Sequence, residues 1–147
     1  MSTNIEIVSN HIDLEELTRF RYDIYVRSMQ KKVVGADHDL GSITDELDAI
    51  SKNLVIKKNN RILGALRLTY ADELTSLPDR FAEYQEMFCF KPFLESTLGR
   101  ICFTSRLMIS PELRGSTLLW RLFSKAFQTA MSDGVTFDFC AAPPHMA

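Results

Sequence analysis

PELRGSTLLWRLF, residues 111–123, carries the chain from an apolar stretch into an amphipathic one across an arginine and a glycine. Upstream, GRICFTSRLMIS (99–110) sets Ile101, Phe103, Ser105, Leu107 and Ile109 on one face of a strand and Cys102, Thr104, Arg106 and Met108 on the other. Both faces are apolar enough for a central strand, and Pro111 closes it. Downstream of Gly115, Leu118, Leu119, Leu122, Phe123, Ala126, Phe127, Ala130 and Met131 form a wide apolar stripe that Asp133-Gly134 stops. VTFDFCAA (135–142) then reads as another strand. The segment therefore predicts a strand, a helix and a second strand, parallel to the first and reached by a right-handed crossover. Its Arg114-Gly115 junction has two readings. Helix-start amides and the positive end of the helix dipole could cradle a phosphate. Alternatively Arg114 is a surface charge, Gly115 a turn, and Ser116 or Thr117 a plain N-cap.

Toward the N-terminus, NIEIVSN (4–10) reads as a short strand, after which Asp13 caps a helix. Leu14, Leu17, Phe20, Arg21, Ile24, Tyr25 and Ser28 fall at helical spacing, predicting a helix over 14–29. KKVVGADHDLGSITDELDAIS (31–51) has no sustained period and predicts a long loop with one helical turn at most. NLVIKKNNRILGALRLTY (53–70) predicts a β-hairpin about Asn59-Asn60. LPDRFAEYQEMFCFKPFLESTLGR (77–100) predicts a helix from Pro78-Asp79, with Phe81, Tyr84, Met87 and Phe88 on one stripe, halting at Pro92 before a shorter piece. The order β, α, loop, hairpin, α, β, α, β implies an α/β fold of mixed α+β character, a central mixed sheet flanked by helices.

The totals narrow the function classes. A chain of 147 residues, 46% apolar and 24% charged, suits one globular domain over 1–147. A formal net charge of -2 and a pI near 5.9 give no electrostatic case for nucleic acid. Cys89, Cys102 and Cys140 lie far apart in apolar runs without metal-ligand spacing, and read as reduced core residues with no metal site. MSTNIEIVSNHIDLEEL has no signal-peptide pattern, and no run reaches the roughly 18 apolar residues of a membrane span, so a cytoplasmic location is expected.

A central strand, Pro111, Arg114-Gly115 and a long amphipathic helix, all after a hairpin, resemble the GNAT superfamily of N-acyltransferases. That resemblance implies that Arg114, Gly115, Ser116, Thr117, Leu118 and Leu119 hold the pyrophosphate of a pantetheine donor. It also implies a splayed pair of parallel strands, with the gap between 106–110 and 137–141. There the backbone of Leu107, Met108 and Ile109 would grip the pantetheine, one amide acting as oxyanion donor. Thr117 and Leu119 stand where the family has Gly and Gly or Ala.

A narrower resemblance comes from Arg21 and Tyr25 in RYDIY, Asp45 and Asp48 in DELD, Arg67 in GALRL and Arg106 in TSR. In order and spacing, from about Ile5 to Met146, they resemble the acyl-homoserine-lactone synthases and their relatives the long-chain N-acyl amino acid synthases. This implies a charged catalytic cluster of Arg21, Asp45, Asp48, Arg67 and Arg106 beside the acceptor site. The donor would be the phosphopantetheine of acyl carrier protein, or acyl-CoA, and the acceptor a small amine such as an amino acid. Phe103 replaces a lactone-synthase Glu, Tyr25 replaces a Phe, and QKKVVG lacks their tryptophan, which puts the N-acyl amino acid branch ahead. The other reading is a catalytically inactive acyl-pantetheine-binding module.

Independently of family, Arg67 and Arg106 lie mid-strand among apolar residues, so each is expected to have a carboxylate partner, whether catalytic or purely structural. Asp45 and Asp48 could otherwise be a solvated acidic loop. Phe81, Phe88, Phe90 and Phe93 could line an acyl tunnel or simply be core. His145 and Asp138 are candidate bases or incidental polar residues. Family members continue past the last strand with a helix and a hairpin, so the C-terminal part of the fold is expected to be missing and homo-oligomerisation is possible.

Overall fold

Asn59 and Asn60 both take positive φ, 52° and 59°, the geometry a tight two-residue hairpin needs and asparagine tolerates. This computed structural model describes residues 3–96 and 99–141. In chain order it contains β1 (Asn4–Ile7), α1 (His11–Tyr22), a π-helical segment (Asp23–Ser28), β2 (Ala36–Asp37), β3 (Ser42–Ile43) and a 3-10 turn (Glu46–Ile50). There follow β4 (Ser51–Lys58), β5 (Arg61–Tyr70), α2 (Ala71–Leu74), α3 (Pro78–Phe88), α4 (Lys91–Glu95), β6 (Arg100–Ile109), a 3-10 turn (Pro111–Leu113), α5 (Leu118–Ser132) and β7 (Val135–Cys140). One sheet runs β1-β4-β5-β6-β7, antiparallel except for the parallel β6–β7 pair, and β2 with β3 forms a small separate ladder. The expected mixed sheet, hairpin and parallel ending are all present.

Strand alternation sorts the core onto two faces. Leu54, Ile56, Leu66, Leu68, Tyr70 and Cys102 pack beneath Leu122, Ala126 and Ala130 of α5. On the opposite face, Val55, Ile62, Ala65 and Met108 meet Leu17 and Phe20 of α1 and Ile24 of the π segment. Further along that face Ile101 and Phe103 meet Leu74, Tyr84 and Phe90. Phe81 and Phe88 pack around this last cluster, Phe81 edge-on to Phe90, while Phe93 is exposed and lies edge-on to Phe137 and Phe139. Phe90 is thus core, Phe81 and Phe88 border it half-buried, and Phe93 is exposed.

Several local expectations need correction. Asn10, not Asp13, caps α1, accepting from Asp13 N at 2.9 Å, while the Asp13 carboxylate pairs with Lys57. The helix does not run as α to residue 29 but widens to π after Tyr22. Helix α3 ends at Cys89, in the left-handed region at φ 51°, and Pro92 sits in the first turn of α4, where a missing N–H costs nothing. Helix α5 begins at Leu118, and its stripe is only partly covered: Phe123, Phe127 and Met131 are exposed beside an apolar groove of ≈ 390 Å³. Cys89 and Cys140 are exposed, leaving Cys102 as the buried cysteine. His145 and the end of the resemblance at Met146 lie outside the described residues. Among the described residues no helix is long and apolar enough to cross a membrane.

Candidate functional site

Residues 106–107 interrupt the central strand. The β5–β6 register places Arg67 opposite Ser105 but Ala65 opposite Met108, so two residues of β6 face Leu66 alone. This is a β-bulge, and Arg106 takes φ 55° within it. The alternation expected along the whole strand therefore holds only to Ser105. Beyond the bulge Met108 faces α1 and Ile109 packs on the α5 side, while Arg106 shares the face of Phe103 and Ser105. Ser110 N donates to Leu63 O at 2.8 Å, and the ladder's two-residue alternation turns the Ile109 N–H away from β5, while Arg106 and Leu107 lie inside the bulge where that alternation breaks.

The other edge of β6 beyond Thr104 is unpaired among the described residues. Strand β7 zips onto β6 from Arg100↔Val135 only as far as Thr104↔Cys140. Of the segment expected to face a gap, 137–140 are paired with 101–104, and the described pairing ends at Thr104↔Cys140, just short of the bulge. Asp138 lies on the α5 side of this pair, accepting from Thr104 Oγ1 at 2.7 Å.

Behind the bulge lies a charge cluster. Arg21, from the last turn of α1, donates Nη1 and Nη2 to the two oxygens of Asp48 at 2.5 and 2.8 Å, and Nη2 also reaches Asn53 Oδ1 at 3.0 Å. Arg67 Nη1 lies 2.9 Å from Asp45 Oδ2 and 3.5 Å from Asp48 Oδ1, while its Nε donates to Ser105 Oγ at 3.2 Å. Arg106 Nη2 donates to the same Asp45 Oδ2 at 2.8 Å. The Arg21 and Arg67 side chains are 1% and 3% exposed and both aspartates 7%, whereas Arg106 keeps 22%. The five residues named from the sequence thus meet in one place, and both mid-strand arginines have the carboxylates expected of them.

Local structure explains the meeting. Asp45 caps the 3-10 turn, accepting from Leu47 N at 3.1 Å, and that turn puts Asp45 and Asp48 on the side facing β5. Burial alone would raise the Asp45 pKa, but the Arg67 and Arg106 guanidiniums and the Leu47 N–H more than offset it and hold the carboxyl well below its usual range. Burial likewise disfavours the Arg106 charge, and Asp45 outweighs it. The Arg106 guanidinium lies 5.6 Å from the Tyr25 ring centroid, so the π segment supplies an aromatic floor. Asn53 and Ser105 belong to the network without having been singled out. Their signal was a polar residue within an otherwise apolar strand.

The loop from Ser110 to Thr117 is open. Arg114 and Gly115 are exposed, Gly115 takes φ 80°, and a Cβ there would meet nothing within 4 Å. Thr117 holds the N-cap position without a side-chain bond, while Ser116 Oγ accepts from Leu118 N at 3.3 Å. The first intrahelical bond from this end is Arg121 N to Thr117 O, which leaves the Leu119 and Trp120 amides without helical acceptors. Free amides at a 15-residue helix start can accept an anion.

Residues 20–124 match the family model described as an acetyltransferase (GNAT) domain. The chain belongs to the GNAT family. Solved structures agree on its fold. An integron cassette protein from V. cholerae is 15% identical with a TM-score of 0.66, over 99% of this GNAT chain and 78% of that one. The CoA-dependent acyl-homoserine lactone synthase BjaI, solved with SAM and isopentyl-CoA, is 21% identical with a TM-score of 0.64, over 89% of this chain and 62% of its own. A predicted acetyltransferase from Clostridium acetobutylicum, solved with acetyl-CoA, is 11% identical with a TM-score of 0.64, over 98% and 83%. Among curated proteins no sequence match is found.

Proposed function

We propose that this GNAT domain is an N-acyltransferase of the N-acyl amino acid synthase type. It moves a long acyl chain from acyl carrier protein, or from acyl-CoA, to the amine of an amino acid or similar acceptor. The observation that carries this reading is the bulge: a break in β6 lies beside an edge that is unpaired among the described residues, and Arg106 at the bulge reaches into a charge cluster on the neighbouring face. In this reading the donor phosphates lie at Arg114 to Leu119 and the pantetheine runs along Leu107 to Ile109. The acceptor nitrogen attacks the thioester carbonyl, and a bulge amide stabilises the oxyanion. The carbon–nitrogen bond forms as the carbon–sulfur bond breaks, the nitrogen loses a proton and the thiolate gains one.

Arg21, Asp48 and Arg67 position the cluster. Asp45, held by two guanidiniums at a depressed pKa, is a weak base and serves the same purpose. Phe103, packed between Tyr84, Phe90 and Phe139, fills the place of the lactone-synthase carboxylate and favours the N-acyl amino acid branch over lactone formation. The test incubates the protein with palmitoyl-loaded acyl carrier protein or palmitoyl-CoA and pooled amino acids, with mass spectrometry of the products and Arg106→Ala as control. An N-acyl product absent from the control supports the reading. Donor binding with no product under either donor overturns it in favour of an acyl-pantetheine-binding module.

A further inference from the structure

Three guanidiniums meet two carboxylates in the cluster, leaving one positive charge unanswered by its members. That surplus is localised. Arg21 uses two nitrogens on Asp48 and one of them again on Asn53, and Arg67 lies between Asp45, Asp48 and Ser105. Among the described residues the hydrogen bond Arg106 makes is from Nη2, to a carboxylate oxygen that Arg67 already neutralises from 2.9 Å. It is also the member of the five that reaches solvent, and its backbone takes a left-handed conformation that a non-glycine residue adopts at a cost. A merely structural partner for Asp45 would need neither the exposure nor the strain.

We infer that the Arg106 guanidinium receives a carboxylate on the acceptor, so that the site selects amines bearing an acidic group over neutral amines. This deepens the acyl-transfer reading and rests on it. The unused face of the planar guanidinium suits a carboxylate's two oxygens, and one surplus charge matches one carboxylate, whereas a phosphate dianion would exceed it. Tyr25 closes one side of the guanidinium and Asp45 fixes its rotation, so little ordering is left for the ligand to impose. Because the same residue sits in the bulge beside the open edge, the bulge sets the spacing between the acceptor's anion and the thioester.

The test compares N-octanoyl-leucine with the neutral N-octanoyl-leucinamide in binding to the full chain, by calorimetry and by the arginine Nε–H resonances in ¹⁵N spectra, with no donor present. The acid is expected to bind at least about tenfold tighter, about 1.4 kcal/mol, and to shift the Arg106 resonance. The preference disappears in Arg106→Gln and survives in part in Arg106→Lys. Equal binding of acid and amide, absence of binding by either, or an undiminished preference in Arg106→Gln overturns the inference. Should Arg106→Gln not fold, the wild-type acid-to-amide ratio and the Arg106 resonance still decide. Acid-selective binding without turnover on any amine would count against the acyl-transfer reading alone. Equal acylation of leucine and leucinamide would count against the carboxylate site alone.

Discussion

The charge cluster and the loop before α5 flank the same end of β6, yet they are built in opposite ways. The cluster is side chains: five charged groups, four of them nearly sealed from water and each tied to at least one other. The loop is backbone: exposed Arg114 and Gly115, empty space above the glycine, and a single 3.3 Å side-chain bond at the helix start. One region holds its geometry before any ligand arrives, while the other presents amides that water satisfies until an anion displaces it. In the proposed reaction this places preorganisation on the acceptor side and adaptability on the donor side.

That contrast breaks most visibly through Arg21. Arg21→Met leaves Asp48 buried with only Asn53 and an Arg67 nitrogen at 3.5 Å, and should cost about 3–5 kcal/mol in urea unfolding. The paired change with Asp48→Leu should recover much of the loss, since both charges then go. A single variant within 1 kcal/mol of wild type would mean that the cluster does not hold its own geometry.

Acid should act on the same region. Asp45 has its folded pKa below its unfolded value, so its contribution is fully present above about pH 3.9 and is lost as pH falls from there through the folded value. Melting temperatures from pH 7 to pH 2 should drop more steeply below about pH 4 in wild type than in Asp45→Asn. Identical acid limbs would remove Asp45 from the network. The smallest effect belongs to the loop: Gly115→Ala meets no neighbour and should cost only about 1 kcal/mol, the strain of its positive φ. A loss as large as that of Arg21→Met would erase the distinction between the two regions.

Much of this was legible because it is local. Period-2 patterning marked the strands, Asn59-Asn60 marked the turn, and charge among apolar neighbours told that Arg67 and Arg106 must have partners. What stayed hidden depends on pairing. The Ser105–Ile109 segment reads as an unbroken alternation, and only its register against β5 shows two residues facing one. The π widening after Tyr22 carries no signature in DIYVRS, because helical spacing at i and i+4 looks alike in both forms. Phe123, Phe127 and Met131 match the helical stripe of α5 as well as Leu122 and Ala126 do. Only the structure separates them, burying Leu122 and Ala126 against the sheet and leaving Phe123, Phe127 and Met131 exposed.

Position 106 sets two kinds of optimisation against each other. A protein engineer selecting for thermal stability would be drawn to glycine there, since it relaxes a left-handed backbone that arginine occupies only under constraint. The same exchange strips Asp45 of one guanidinium and empties the mouth of the cluster. Consensus or stability-guided libraries run on this chain would thus tend to discard its most informative side chain early, and with it the handle for re-targeting the domain to new amines.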